Sequence, residues 1–169
     1  MSSLKIESFT SLQKILSYCD QLMLGHQYSL MSKDFESAYG LFEEFANLRI
    51  AHLTLVEHSW LNLYKKYLDE FPAGGRPEYL LREKKLILRE LKKYTKILTD
   101  LALHGPDKSF RLVNLFEGYI WFKDLLDHHD AREKAFLFRV LDTKLTIQEK
   151  AETLKTAEST YAELINSRL

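Results

Sequence analysis

The amino-acid sequence predicts an all-α protein, an up-down-up-down bundle of four long helices with an additional helix at its C-terminal end. Apolar residues recur at helical spacing along almost the whole chain, and no strand-like alternation of useful length is present. Proline and glycine interrupt this pattern at residues 72–77 (PAGGRP) and 105–106 (GP). Four long helices with short connections pack most simply as such a bundle.

Length and charge limit the classes of function. The 169 residues are enough for one domain with a full core, to which residues 146–167 add a helix. Lys plus Arg and Asp plus Glu both number 24, so no net charge favours nucleic acid or an anionic membrane. No segment reaches the roughly 20 apolar residues of a membrane span, and no secretion signal is present, so we expect a cytoplasmic protein. The single cysteine, Cys19, excludes an intramolecular disulfide and is interpreted as a core residue.

The first two helices have recognisable start signals. A capping box at residues 10–13 (TSLQ) predicts a helix from there to about Met31. Ser32 or Asp34 can cap the second helix, which we expect over residues 35–71. Its predicted inward stripe consists of Ala38, Leu41, Phe45, Leu48, His52, Leu55, Val56 and Leu63.

The remaining three helices follow the two interruptions. The third is predicted over residues 78–104, with Lys84 on its apolar face, and Gly105 before Pro106 ends it. Asp107 or Ser109 can cap the fourth helix. A second capping box, residues 146–149 (TIQE), begins the fifth helix. Its predicted buried edge consists of Ile147, Ala151, Leu154, Tyr161 and Ile165.

The fourth helix carries the feature that points to a site. Its apolar stripe consists of Leu115, Phe122, Leu126, Phe136 and Val140, and His129 and Glu133 fall inside it, one turn apart. A buried ionised carboxylate costs several kcal/mol unless it is paired or binds a metal. Glu133 therefore needs a partner, and His129 is the nearest of several candidates.

Residues 125–138 (LLDHHDAREKAFLF) pair a histidine with an acid one turn later and continue with an aromatic-aliphatic run, and residues 50–60 (IAHLTLVEHSW) carry a further histidine. The first segment resembles the last helix of hemerythrin-like, HHE cation-binding domains, and the second is similar to the earlier His-x-x-x-Glu element of that family. In helix order and spacing, the resemblance covers residues 10–145. It implies a four-helix bundle with a non-haem di-iron centre, held by histidines and bridging carboxylates. It also implies a role in oxygen binding, in sensing, or in iron and nitric-oxide responses.

The resemblance extends to only some of the ligand positions. His129 and Glu133 match the fourth-helix ligands, and His52 matches the histidine of the second helix. The carboxylate position that belongs with His52 holds Val56, and Glu57 is turned by about 100° around the helix.

Two further ligand positions differ from the family. Lys84 stands at the histidine of the third helix, and the first helix offers only Asp20 near the expected place. About half of the ligands of a di-iron centre are therefore absent.

Two hypotheses follow for the site. In the first, Lys84 replaces the metal and lies against Glu133, His129 bonds the same carboxylate, and the bundle is a non-catalytic binding, sensing or interaction module. Its partner would be another protein or a second copy, bound through helix faces. In the second, His52, His129 and Glu133 bind one non-haem iron or another divalent metal, with open positions for a small ligand such as oxygen or nitric oxide.

A third class is a catalyst, because open positions on iron would permit oxygen or peroxide chemistry. No nucleophile-base pair, phosphate loop or second carboxylate pair supports an enzyme, and we expect none. His26 is interpreted as a hydrogen-bonded core histidine. Whether His26, Asp20 or Glu57 joins the site is left open.

Overall fold

The computed structural model describes residues 6–103 and 109–166, and within these two stretches all regular secondary structure is helical, which confirms the predicted all-α class. The helices in chain order are α1 (Gln13–Met31), α2 (Phe35–Leu55), α3 (Leu61–Tyr67), α4 (Pro77–Leu103), α5 (Ser109–Arg132), α6 (Arg139–Lys144) and α7 (Ile147–Asn166). A short 3-10 helix, Thr10–Leu12, precedes α1. The predicted stop at Gly105 and Pro106 and the predicted cap at Asp107 lie outside the described residues.

Two π-helical segments join helices into longer rods. The segment π1 (Val56–Trp60) connects α2 directly to α3, and π2 (Glu133–Phe138) connects α5 directly to α6. The chain is therefore helical without a break over residues 35–67 and again over residues 109–144. Together with α1, α4 and α7, these two rods give the five long helices that the sequence predicts.

Contacts between side chains fix the relative directions of the helices. The His26 ring of α1 bonds the carbonyl of Ala38, whereas Tyr18, about two turns earlier, bonds Glu44, so α1 and α2 are antiparallel. The rods that contain α2 and α5 run parallel, because a step of three residues along one rod leads to a contact three residues further along the other. The two ring contacts that show this are Phe42 on Tyr119 and Phe45 on Phe122. The α4 helix packs against both rods, and α7 covers α2.

Of the three predicted helix caps that can be tested in the described residues, two are confirmed. The Asp34 side chain accepts a hydrogen bond from the Ser37 amide at 3.1 Å, as an N-cap should. Thr146 and Glu149 form the predicted reciprocal capping box. The prediction for Thr10 is wrong, because its hydroxyl donates to Asp142 at 2.7 Å, and α1 begins without a side-chain cap.

The π segments explain the errors in the predicted stripes at and after each segment; Leu41 and Leu55, which precede π1, are also only half-buried. A π turn closes i→i+5 hydrogen bonds, so it inserts one residue and rotates everything after it around the helix axis. The predicted inward residues Phe136 and Val140 are therefore only half-buried, whereas Leu137 and Leu141 are in the core. After π1, Tyr64 replaces the predicted Leu63 in the same way.

Other predictions fail at helix ends. The rod that contains α2 stops at Tyr67, short of the residue 71 predicted for the second helix, because Leu68 is extended. In α7, Leu154 and Tyr161 are buried as predicted and Ile165 is half-buried, but Ala151 is exposed and Ile147 at the start of the helix is 91% exposed. None of the helices in the described part of the chain combines the length and apolarity needed to cross a membrane.

Candidate functional site

The three residues singled out as metal ligands lie together in the core. Glu133, the first residue of π2, has no exposed side-chain surface, and His52 and His129 are each 1% exposed. The Nε2 atom of His52 lies 2.7 Å from Glu133 Oε2, and the Nε2 atom of His129 lies 2.9 Å from Glu133 Oε1. One carboxylate is therefore held between two imidazoles.

The other nitrogen of each imidazole also has a partner. His52 Nδ1 lies 2.7 Å from the hydroxyl of Tyr161 on α7, and His129 Nδ1 lies 3.1 Å from Glu83 Oε2 on α4. The second oxygen of Glu83 accepts a hydrogen bond from Arg132 Nε at 2.9 Å. These contacts form a chain that crosses the protein from α7 to α4, which we call the buried network: Tyr161, His52, Glu133, His129, Glu83 and Arg132.

Protonation in the buried network follows from its contacts. Burial alone would lower the pKa of His129, but the negative charges of Glu133 and Glu83 raise it to about 9. Burial alone would raise the pKa of Glu133, but the two imidazoles hold it well below its ordinary value. At neutral pH His129 is therefore an imidazolium and Glu133 a carboxylate. His129 and Arg132 balance the charges of Glu83 and Glu133.

The contact between His129 and Glu133 is an ion pair without an aligned hydrogen bond. Its atoms, His129 Nε2 and Glu133 Oε1, are 2.9 Å apart, yet among the described residues neither atom has a partner with hydrogen-bond geometry. The two side chains are one turn apart on the same rod, so the backbone limits how they can face each other. Attraction between opposite charges, not N–H direction, holds this pair.

Lys84 does not lie against Glu133, and the predicted pairing is wrong. Its ammonium donates to Glu57 on π1, and this hydrogen bond is the main cause of the lowered pKa of the Glu57 carboxyl. The neighbouring residue Glu83 faces the buried network instead. The buried stripe of α4 passes through Leu80, Glu83 and Ile87, and Lys84 lies 100° further round the helix.

His26, whose part in the site was left open, is a core residue with two hydrogen bonds. Its Nδ1 lies 2.7 Å from the carbonyl oxygen of Ala38, and its Nε2 lies 2.8 Å from the hydroxyl of Tyr119. A carbonyl can only accept, so Nδ1 donates and Nε2 accepts from Tyr119. Burial lowers the pKa of His26 to about 4, so this imidazole is neutral.

Asp20, also left open, lies beside a different buried charge. Its side chain is 70% exposed and stands 3.9 Å from Arg49. The Arg49 guanidinium, which is buried, makes two hydrogen bonds with Asp130 at 2.7 and 2.9 Å. Arg49 lies one turn before His52, and Asp130 lies one turn before Glu133, so this pair joins the two rods next to the buried network.

Both π segments lie next to the buried network. The segment π1 begins four residues after His52, and π2 begins at Glu133 itself. Trp60 from π1 and Phe138 from π2 pack edge-on against the His52 ring, with centroids 5.4 and 6.3 Å away. Single π turns within α-helices occur often at functional sites. Their position here marks the buried network as the candidate site.

Sequence reasoning missed three members of the buried network: Glu83, Tyr161 and Arg132. Glu83 follows Leu80 by three residues and precedes Ile87 by four, but Lys84 fits the same stripe equally well, so the spacing did not single out Glu83. Tyr161 was predicted to be buried, but nothing in its spacing indicates that its hydroxyl reaches His52. Arg132 lies on the flank of its helix and had no signal.

The residues present do not fit a di-iron centre. Among the described residues, no group of three or more His, Cys, Asp or Glu side chains is arranged so that it could hold a metal ion. The Nε2 atoms of His52 and His129 lie against the two oxygens of Glu133, and α4 supplies Glu83 to His129 and not to a common centre. The arrangement instead balances buried charge.

No protein-family model, curated protein or solved structure matches the chain. The family resemblance therefore depends on residues 50–60 and 125–138 alone.

Stability is expected to be greatest between about pH 6 and 7. His129 has a raised pKa, about 9 in the folded protein against about 6.5 when unfolded, so its contribution is complete below about pH 6.5 and is lost as the pH rises through 9. His26 has a lowered pKa, about 4, so stability is also lost as the pH falls from about 6.5 towards 4. Below about pH 4.5, the lowered pKa of Glu133 adds to the acid loss.

The urea midpoint of unfolding, measured from about pH 4 to 9, tests whether His129 causes the loss of stability at alkaline pH and His26 the loss at acid pH. His129→Gln should flatten the change between pH 6.5 and 9, and His26→Gln should flatten the change between pH 4 and 6.5. If the urea midpoint of His129→Gln still falls as steeply above pH 6.5 as that of the wild type, another group causes the loss at alkaline pH.

Proposed function

We propose that this chain is a divergent hemerythrin-like four-helix bundle that acts as a metal-free, non-catalytic interaction module. The observation that carries the proposal is the position of Glu133, whose carboxylate is held between the imidazoles of His52 and His129. The residues at the presumed ligand positions neutralise one another. A bundle of this kind keeps a stable core without a metal ion and leaves its helix faces for partners.

Helix directions support the bundle assignment. An up-down-up-down bundle requires that its first and second helices be antiparallel and that its second and fourth be parallel. The contacts of His26 and Tyr18 satisfy the first requirement, and the ring contacts of Phe42 and Phe45 satisfy the second. The α7 helix then covers the side of α2, where Tyr161 reaches His52.

Charge balance supports the metal-free proposal. Metal ligands must be deprotonated, so a cation would have to remove the proton that His129 holds with a pKa of about 9. It would also add positive charge to a network in which His129 and Arg132 already balance Glu83 and Glu133. Both effects weaken metal binding at neutral pH.

An apolar row on α1 supports the interaction role. Leu24, Tyr28 and Met31 lie at i, i+4 and i+7, and all three are more than two-thirds exposed. Large exposed apolar side chains on one helix face are common at contacts with other proteins. They fit a protein partner or a second copy of the chain.

One observation favours a second candidate, a single divalent metal bound by His52, His129 and Glu133. Histidine ligands usually donate their remaining ring N–H to an oxygen, and here the Tyr161 hydroxyl and Glu83 lie at hydrogen-bond distance from the two Nδ1 atoms. The unaligned pair of His129 Nε2 and Glu133 Oε1 would gain by binding an ion. Iron in such a site would leave positions open for oxygen or nitric oxide.

Elemental analysis and an optical spectrum of freshly purified protein separate the two candidates. We expect no stoichiometric iron, zinc or manganese, also after anaerobic incubation with ferrous ion. Lys84→His should stay metal-free as well, since this position faces Glu57. About one metal per chain that is lost in His129→Ala would overturn the proposal and favour the second candidate.

A further inference from the structure

The outer face of α4 carries a straight row of cations. Arg82, Lys85, Arg89, Lys92 and Lys96 follow one another at alternating steps of three and four residues, and all five are exposed. This alternation averages 3.5 residues, so the side chains stay on one line along the helix. At 1.5 Å per residue the row is about 21 Å long.

The two carboxylates inside this row do not neutralise it; Glu78 and Asp100 lie just beyond its ends, and Asp100 pairs with Arg111. Residues 82–96 contain seven cations and two carboxylates, in a chain whose total formal charge is zero. Glu83 is engaged by His129 and Arg132, and Glu90 is buried and contacts Arg89 and Lys93. Within the described residues, Arg82, Lys92 and Lys96 have no ion pair. The molecule therefore concentrates unbalanced positive charge on one helix face.

The C-terminal half of this row borders a groove of about 870 Å³. Its walls include Arg89, Lys92, Lys93, Lys96, Ile97, Asp100 and Leu103. Asp100 is paired with Arg111 at 2.7 Å, so the four basic residues set the charge of the groove. Leu103 is 73% exposed, so the groove offers an apolar contact at the end of the charged row. A ligand of this face would combine negative charge with an apolar group.

We propose that the α4 face binds an acidic amphipathic helix of a partner protein. The cations recur about once per helical turn of 5.4 Å, and carboxylates at the same spacing on a second helix recur at the same interval. Successive turns can therefore form ion pairs along the whole row. An apolar residue at one end of the partner helix would contact Ile97 and Leu103.

Two other polyanions fit this face less well. Single-stranded nucleic acid is bound by exposed aromatic side chains that stack on bases, but the only aromatic residue between Arg82 and Leu103 is Tyr94, which is buried. A helix that binds a membrane surface inserts its apolar face into lipid, but the apolar face of α4 packs in the core.

This inference deepens the proposed function, because it rests on the chain being an interaction module and names the partner class. The two can fail separately. Metal content tests the buried network, and binding at α4 tests the charged face.

The test uses a labelled helical peptide and the full chain. The matched peptide has glutamates at alternating steps of three and four residues and a leucine near one end; the scrambled peptide has the same composition with irregular spacing. Fluorescence anisotropy should show the matched peptide binding at least about tenfold more tightly, with affinity that falls as salt is added. The double variant Lys92→Glu, Lys96→Glu should weaken binding of the matched peptide by about tenfold or more.

A matched control makes the same change of charge elsewhere. Lys14→Glu, Lys155→Glu alters two exposed lysines on α1 and α7 and should leave binding unchanged. Circular dichroism of both double variants checks that they fold. Absent binding, equal binding of the scrambled peptide, or tighter binding of duplex DNA, single-stranded RNA or phosphatidylserine vesicles would overturn the inference.

Discussion

Replacing His129 with alanine is expected to lower the free energy of unfolding at pH 7 by about 3 to 5 kcal/mol, the usual cost of removing one partner from a buried ion pair. The change leaves Glu133 charged and wholly buried with His52 as its remaining neighbour in the buried network. It also frees Glu83 from one of its partners and leaves a cavity where the ring was. Urea denaturation monitored by circular dichroism measures the loss.

A second substitution separates lost charge from lost volume. Glu133→Gln keeps the shape of the side chain and removes the buried charge. In the double variant His129→Ala, Glu133→Gln, the loss should therefore be clearly smaller than the sum of the two single losses. Additive losses would show that packing around the ring, and not charge, accounts for the effect of His129→Ala.

Two control variants test whether the loss of stability is specific to the buried network. Lys84→Met should have a much smaller effect than His129→Ala, because its partner Glu57 is at the surface and water can replace the ammonium. His58→Ala removes a histidine whose side chain is 72% exposed and should change stability little. A loss with Lys84→Met as large as that with His129→Ala would restore the pairing of Lys84 with Glu133 that the structure contradicts.

The grouping of His52, His129 and Glu133 was predictable because it needs only helical period and direction. His129 and Glu133 are one turn apart on a stripe of apolar residues, and a histidine on the facing stripe of a parallel rod can reach the same level. The same reasoning failed for Lys84 and Glu83. Successive residues differ by 100° around the helix, and both lie between Leu80 and Ile87 on the edges of one stripe. Periodicity cannot decide which of two such neighbours faces inward.

The π segments could not be predicted from the sequence. Neither Val56–Trp60 nor Glu133–Phe138 contains proline or glycine, so no residue marks the extra one in the turn. A regular period therefore assigned Phe136 in place of Leu137, and Leu63 in place of Tyr64, to the core. In both cases the buried residue is one position later than predicted, because each π segment inserts one residue into the helix.

Removing residues 147–169 is expected to lower the free energy of unfolding by roughly 3 kcal/mol or more, because α7 buries Leu154, Ala157 and Tyr161 and a large apolar side chain contributes about 1.5 to 3 kcal/mol. Truncation also removes the hydroxyl that contacts His52 and opens the buried network to water. We therefore expect a lower melting temperature and faster hydrogen exchange of the amides in α2. An unchanged melting temperature would show that α7 does not support the bundle.

Tyr161→Phe separates the role of the hydroxyl from that of the helix. It keeps the ring and removes one buried hydrogen bond, so the expected loss is about 1 kcal/mol, well below that of the truncation. Tyr28→Phe, which changes an exposed tyrosine on α1, is the matched control and should have no effect. If Tyr161→Phe costs as much as the truncation, the contact with His52 is the main contribution of α7 to stability; if it costs nothing, burial of the apolar side chains accounts for the whole effect.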